Sequence, residues 1–262
     1  MIEMKEKFIV ILIVLTIFQF NACSKVSRDN QEVQAELLYQ QGGRYFLGQD
    51  VAQDYIKAKA LFEQAAQQGS AIAQNDLAGM YFKGLGTAKN EEKAFYWYER
   101  AAQKNFPEAQ YNLGIMYDHG HYVKKDRNKA LAFYRLSADQ GYAKAQYNLA
   151  NAYSSGRGVK KDIGLAMELY EKAAQQNMPE AQYNLANIYS DGLLVPKNEK
   201  RALKLYENAA EQNFPMAQHN LGYLYINEYH NREKAKYWFK KAYENGVKES
   251  GEVLKQLEHD SP

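Results

Sequence analysis

Apolar and small residues fall in short blocks along this chain, and each block keeps a helical spacing. Ala145, Leu149, Ala152 and Tyr153 stand at i, i+4, i+7 and i+8, with polar residues between them. Ala166, Leu169, Tyr170, Ala173 and Ala174 stand at i, i+3, i+4, i+7 and i+8. Each pattern places one apolar stripe along an α-helix. The pair of blocks then returns. AQYNLANAYSSG begins at Ala145, and AQYNLANIYSDG begins at Ala181, thirty-six residues later.

At that period the chain divides into six repeats, 37–72, 73–108, 109–144, 145–180, 181–216 and 217–249, the last shorter by three. Counting from the first residue of a repeat, position 9 is Tyr in all six: Tyr45, Tyr81, Tyr117, Tyr153, Tyr189 and Tyr225. Position 22 is always Ala, and position 26 is always Phe or Tyr, as in Phe62, Tyr170, Tyr206 and Phe239. Self-similarity at a fixed period of this length marks a stack of supersecondary units, each sealing its neighbour's apolar face. Alanines at contact positions bring helix axes close, and the aromatics fill the remaining space.

The residues between the stripes agree with two helices per repeat. Position 18 is Asp or Asn (Asp54, Asn90, Asp126, Asp162, Asn198, Asn231) and precedes the second helix, where a side-chain oxygen can accept from free N–H groups. Position 33 is Gly or Asn (Gly69, Asn105, Gly141, Asn177, Asn213, Gly246), the residues that best tolerate the left-handed conformation that ends helices. Pro107, Pro179 and Pro215 follow two residues later and suit the first turn of a new helix.

The pattern in the third repeat, AQYNLG…Y…G…V..D..KA..FY…A..QG, resembles the Sel1-like repeat, a relative of the tetratricopeptide repeat. The resemblance covers about 37–249. It implies an all-α chain, a right-handed α-solenoid of about six helix-turn-helix repeats over 35–249, with a capping helix and tail over 250–262. It also implies a concave groove lined by the first helices, at positions 3, 7 and 10. These are Tyr111, Ile115 and Asp118; Tyr147, Asn151 and Ser154; Tyr183, Asn187 and Ser190; His219, Tyr223 and Ile226. Tyrosines beside Asn and Ser combine flat apolar area with hydrogen bonding, a composition suited to a peptide or a glycan. Asn112, Asn148, Asn184 and Asn220 recur at position 4, with Asp76 in the second repeat. That regularity points to a repeated structural hydrogen bond to neighbouring backbone.

The chain begins with a different pattern. Lys5 and Lys7 precede an apolar run from Phe8 to Phe20. Thirteen apolar residues suit the core of an export signal better than a membrane span, which takes about 20. The following NACS resembles a bacterial lipoprotein signal, with Ala22 before the acylated Cys23. This implies a signal peptide over 1–22, a short tether over 23–34 and lipid attachment at Cys23. Ser24, where Asp would retain the protein in the inner membrane, favours anchoring in the outer membrane of the bacterial envelope. The seven residues from Ser24 to Asn30 reach at most roughly 25 Å, which keeps the fold close to the bilayer.

Composition narrows the remaining chemistry. Net charge is +2 over 262 residues, too balanced for a typical nucleic-acid binder. Cys23 is the one cysteine, so an internal disulfide framework is excluded. Lys89, Lys125, Lys161 and Lys197 share position 17 and predict a basic ridge along the loops, a solvated edge or a contact for anionic head groups. Asp118, His119 and His121 form a DHGH cluster, short of the three or four arranged ligands that zinc takes, and no metal or other cofactor is implied. None of S-x-x-K, G-x-S-x-G, H-E-x-x-H, a Walker loop or paired C-x-x-C occurs. The reading is a non-enzymatic scaffold for protein partners in the envelope or on a host cell. The alternatives are a cell-wall-directed hydrolase or penicillin-interactive enzyme, which cysteine-rich relatives bring to mind, and a polysaccharide-binding module.

Overall fold

A computed structural model of the chain describes residues 30–192 and 195–259. The export signal, the Cys23 site and the start of the tether lie outside the described residues. Thirteen α-helices account for the regular structure there: α1 (30–47), α2 (Tyr55–Gln67), α3 (Ala71–Lys83), α4 (Glu91–Gln103), α5 (Pro107–His119), α6 (Arg127–Asp139), α7 (Ala143–Ser155), α8 (Ile163–Gln175), α9 (Pro179–Asp191), α10 (Glu199–Glu211), α11 (Pro215–Asn227), α12 (Arg232–Glu244) and α13 (Lys248–His259). None of them is long and apolar enough to cross a membrane. The helices form two compact units that divide between Lys125 and Asp126. The first holds α1 to α5 and the second α6 to α13. Within each unit a helix packs on its neighbours in the chain, the packing of an α-solenoid.

The helix boundaries follow the capping residues. The side chain of every position-18 residue accepts from a backbone N–H of the first turn that follows, from Asp54 at α2 to Asn231 at α12. The backbone N–H of the same residue donates to the carbonyl of the position-9 tyrosine: Asp54 to Tyr45, Asn90 to Tyr81, Asp162 to Tyr153, Asn198 to Tyr189 and Asn231 to Tyr225, at 2.8–3.0 Å. One residue thus caps a helix and closes the loop that leads to it. All six position-33 residues adopt positive φ, from 60° at Asn177 to 99° at Gly246. Pro107, Pro179 and Pro215 open α5, α9 and α11, where the missing N–H is needed by no helical partner.

The core is built on the small residues. Ala58, Ala94, Ala166, Ala202 and Ala235 are fully buried at position 22, as are Ala73, Ala109, Ala145, Ala181 and Ala217 at position 1. Their bare methyl groups let backbones approach, and the position-26 rings fill the gaps alongside. Where that ring is phenylalanine it packs on a glycine of the first helix. Phe62 lies against Gly42 and Phe239 against Gly222, and a Cβ on either glycine would stand 2.6 or 2.8 Å from the ring.

Two termini differ from the sequence reading. Helix α1 begins at residue 30, so the last residues of the segment 23–34 assigned to a tether are helical. Gln31 donates from there to the Gln68 carbonyl at 3.4 Å. The C-terminal helix begins at Lys248, before the expected cap at 250, and packs on α12.

Candidate functional site

The position-4 asparagines Asn112, Asn184 and Asn220 do form a repeated hydrogen bond, but to side chains and not to backbone. In the second unit the Asn184 amide donates to Asn151 Oδ1 at 3.2 Å and to the Tyr170 hydroxyl at 3.3 Å. The Tyr170 hydroxyl donates in turn to Asn151 Oδ1 at 2.5 Å. One repeat later Asn220 donates to Asn187 Oδ1 at 3.0 Å and to the Tyr206 hydroxyl at 3.4 Å, and Tyr206 donates to Asn187. The reason is that helical backbone groups are already paired, while position 7 and position 26 bring free acceptors to the same point. Burial pushes the Tyr170 and Tyr206 phenols up to about 12, so both hydroxyls stay neutral donors. In the first unit Asn112 donates to Asn75, and Asp76 replaces the amide by accepting from Tyr39.

This ladder changes the standing of the predicted groove residues. Asn151 and Asn187 are rungs, tied to their neighbours. Tyr147 packs 6.0 Å from Tyr170, and Tyr183 packs 6.1 Å from Tyr206 and 5.3 Å from Phe214. The position-3 rings therefore both brace the helices and keep one side open. Ser154 and Ser190 lie beside the Tyr170 and Tyr206 phenols. Tyr111 is half-buried on α5 in the first unit. His219 departs from the expectation of an open groove residue. Its ring hydrogen-bonds the Ser250 hydroxyl of α13 at 2.7 Å and packs edge-on against Tyr223 and Phe239. Burial lowers its pKa.

Four predicted groove residues converge in one place. Tyr183, Asn187, Ser190 and Tyr223 line a cavity of about 390 Å³ on α9, α10 and α11. Its floor is the rung of Tyr206 and Asn220, and Asp191 and Glu228 stand at its wall.

The other candidates resolve differently. Lys89 bonds Glu91 at 2.8 Å, and Lys197 bonds Glu228 at 2.7 Å and Glu199 at 3.0 Å. The predicted basic ridge is thus neutralised at two of its four lysines, because Glu stands two residues on in both repeats. Lys125 and Lys161 are exposed. In the DHGH cluster, His121 turns to Glu91 at 3.3 Å and sits edge-on to Phe82, with the His119 ring 5.8 Å away. Among the described residues no group of three or more His, Cys, Asp or Glu is placed to hold a metal.

Three structural devices escaped the sequence reading. The position-9 tyrosines are not simply core. Tyr189 donates to Glu171 at 3.3 Å and accepts from Arg201 at 2.7 Å; Tyr225 donates to Glu207 at 2.6 Å and accepts from Lys234 at 3.4 Å. They pin consecutive second helices across the first. Position 14 takes positive φ in Asp50, Gly86, Tyr122 and Gly158, and at the last three the loop leans on the preceding second helix. The third device is a buried glutamine at position 2. Gln146, Gln182 and Gln218 each donate to a carbonyl eight residues back and accept from Gln176, Gln212 and Asn245, at 2.9–3.0 Å. Its signal was present in the sequence as Gln74, Gln110, Gln146, Gln182 and Gln218.

The second repeat has half of that glutamine clamp. Gln74 donates to Ala66, but Lys104 occupies the partner position and bonds the Gly69 carbonyl instead. The buried Gln74 Oε1 has no partner among the described residues. Lys104→Gln should supply it, as Gln176 bonds both Gly141 and Gln146. Chemical denaturation should show a gain of about 0.5–1.5 kcal/mol, the net value of one added hydrogen bond. A loss would mean that the lysine serves this turn better.

Comparison with known proteins agrees with this architecture. The family model described as Sel1 repeat matches six times in succession, at 35–70, 71–106, 107–142, 143–178, 179–214 and 215–247. The solved structure of c5321, described as a protective antigen of uropathogenic Escherichia coli strains displaying an SLR fold, is 34% identical with a TM-score of 0.73. The match covers 83% of this chain but only 47% of that one. A Sel1 repeat protein from Oxalobacter formigenes is 29% identical with a TM-score of 0.76, over 80% of this chain and 87% of its own. The immunity protein Pa5087 from Pseudomonas aeruginosa, at 22% identity and a TM-score of 0.54, shares the fold. A search of curated proteins gave no match. With six consecutive matches over 35–247, built on the alanine contacts and capped turns described above, the chain belongs to the Sel1 repeat family.

Proposed function

We propose that this protein is a binding scaffold of the bacterial envelope, tethered through an acylated Cys23 in the outer membrane, which recruits protein partners through the first-helix face of its repeats. The observation that carries the binding reading is the cavity in which Tyr183, Asn187, Ser190 and Tyr223 meet. It combines aromatic surface with hydrogen-bonding groups on a rigid frame, the makeup of an interaction hot spot. The likeness to c5321, described as a protective antigen, supports an exported location that outside partners can reach. Ser250 touches His219 at 2.7 Å but is fully buried, so the pair is given a structural and not a catalytic role.

Affinity capture from envelope extracts tests the scaffold. The double variant Tyr147→Ala with Tyr183→Ala should retain less partner than the native protein while keeping its helical circular dichroism. Equal capture would sink the groove reading. Turnover of cell-wall substrates by the purified native protein would replace it with the hydrolase alternative. Cys23→Ser should move the protein from the membrane to the soluble fraction, and unchanged fractionation would remove the anchor.

A further inference from the structure

The sixth repeat departs from the two before it at position 7 and from all five at position 12, and both residues line the same cavity. Tyr223 stands at position 7, where the fourth and fifth repeats place Asn151 and Asn187. Glu228 stands at position 12, where the five preceding repeats place glycine. A second acidic residue joins them, at a position that differs in every repeat. Asp191 ends α9 at position 11, where the second and third repeats carry Lys83 and His119. Glu228 is the C-cap of α11. A helix C-terminus carries partial negative charge, so a carboxylate there is locally unfavourable and a cation favourable. The cavity therefore has two carboxylates and two helix C-termini at its wall, and no lysine, arginine or histidine lines it.

The two acids are not equivalent. Glu228 bonds Lys197, which Glu199 shares. Asp191 is exposed and has no hydrogen bond or salt bridge among the described residues. It lies near enough to Tyr206 to help hold that phenol neutral. Tyr223 is 40% exposed, its ring held edge-on by His219 and Phe239. An anchored aromatic face beside an unpaired carboxylate attracts an ammonium or guanidinium group from two directions. An anionic ligand would meet both carboxylates and both helix ends.

We propose that the cavity on α9, α10 and α11 receives a basic side chain, lysine or arginine, of the bound partner, with Asp191 and Glu228 taking its charge and Tyr223 its stem. This rests on the groove reading and gives it a chemistry. A carboxylate at the end of α9 runs against the ordinary preference there for a neutral or basic residue.

The test is a titration of the full chain with capped pentapeptides Gly-Gly-Lys-Gly-Gly and Gly-Gly-Arg-Gly-Gly, followed by tyrosine-ring NMR signals, with norleucine at the centre as the uncharged control. The basic probes should bind about tenfold more tightly than norleucine, and less so as salt rises. Asp191→Asn and Glu228→Gly should each erase most of that preference, while Asp191→Asn leaves the melting temperature equal or higher. Equal binding of the norleucine probe, or a preference that survives Asp191→Asn, overturns the proposal. Binding of a neutral sugar such as N-acetylglucosamine in place of the basic peptides overturns it as well. Failure here with partner capture still dependent on Tyr183 leaves the groove and removes only its charge preference. Basic-probe binding with capture indifferent to Tyr183 leaves the site and removes the groove.

Discussion

Gly86→Ala should destabilise the first unit by about 2–4 kcal/mol, the sum of left-handed strain of about 1 kcal/mol and close overpacking of about 1–3 kcal/mol. Gly86 has φ of 64°, and an added Cβ would stand 2.3 Å from the Tyr55 carbonyl oxygen and 2.5 Å from its carbon. Those atoms are backbone at the start of α2 and cannot swing aside. Gly158 holds the corresponding place in the fourth repeat, with φ of 79°. Its added Cβ would meet the Arg127 side chain at 2.8 Å and Leu131 at 2.9 Å, and a long side chain can move. Gly158→Ala should therefore cost less. Denaturation of both variants decides the matter. Equal losses, or a larger one at Gly158, would show that the clash with α2 is relieved by a loop shift. Tyr122 shows that the position tolerates a side chain when its neighbour differs: its N–H donates to the Glu91 carboxylate and its hydroxyl to Glu92.

Ala166→Leu is the second large effect. Ala166 is fully buried in α8, which packs on both α7 and α9. Three added carbons have no void to enter, so helix axes must separate or neighbours leave their rotamers, at a cost of about 1–3 kcal/mol. Gly164 offers a control two residues away. It is exposed, and a Cβ there meets only Asp162 at ordinary contact distance. Gly164→Ala should be neutral or stabilise by about 0.5–1 kcal/mol through reduced backbone entropy. An unchanged denaturation midpoint for Ala166→Leu would mean that alanine is not what sets the spacing of these helices.

The contrast between these sites and the groove shows where sequence reasoning ran out. Capping was legible because it is local. Asp162 and Asn177 act on backbone within a few residues of themselves, so their recurrence at a fixed period revealed their work. The alanine and aromatic core was legible because burial of small and large residues follows helical periodicity. The ladder of Asn184, Asn151 and Tyr170 was legible only as a recurrence. Its partners lie 14 and 33 residues apart, and no rule of spacing says which side chains of three helices will meet. The partner of His219 was hidden for the same reason. Position 3 reads as groove from the third repeat to the sixth, but only at the end of the array does α13 supply Ser250 as a partner for it.

The sequence by itself determined that this chain is a tandem array of helix pairs, where the helices inside the array are capped, and which face of each is apolar. Those are consequences of backbone chemistry and of a 3.6-residue period, both written in neighbouring letters. Tertiary structure alone decided that Lys89 and Lys197 are neutralised, that His219 is bonded to Ser250 of α13, and that Asp191, Tyr223 and Glu228 share one cavity. Those outcomes depend on distances between side chains from different helices, which follow from how closely the buried alanines let the helices approach.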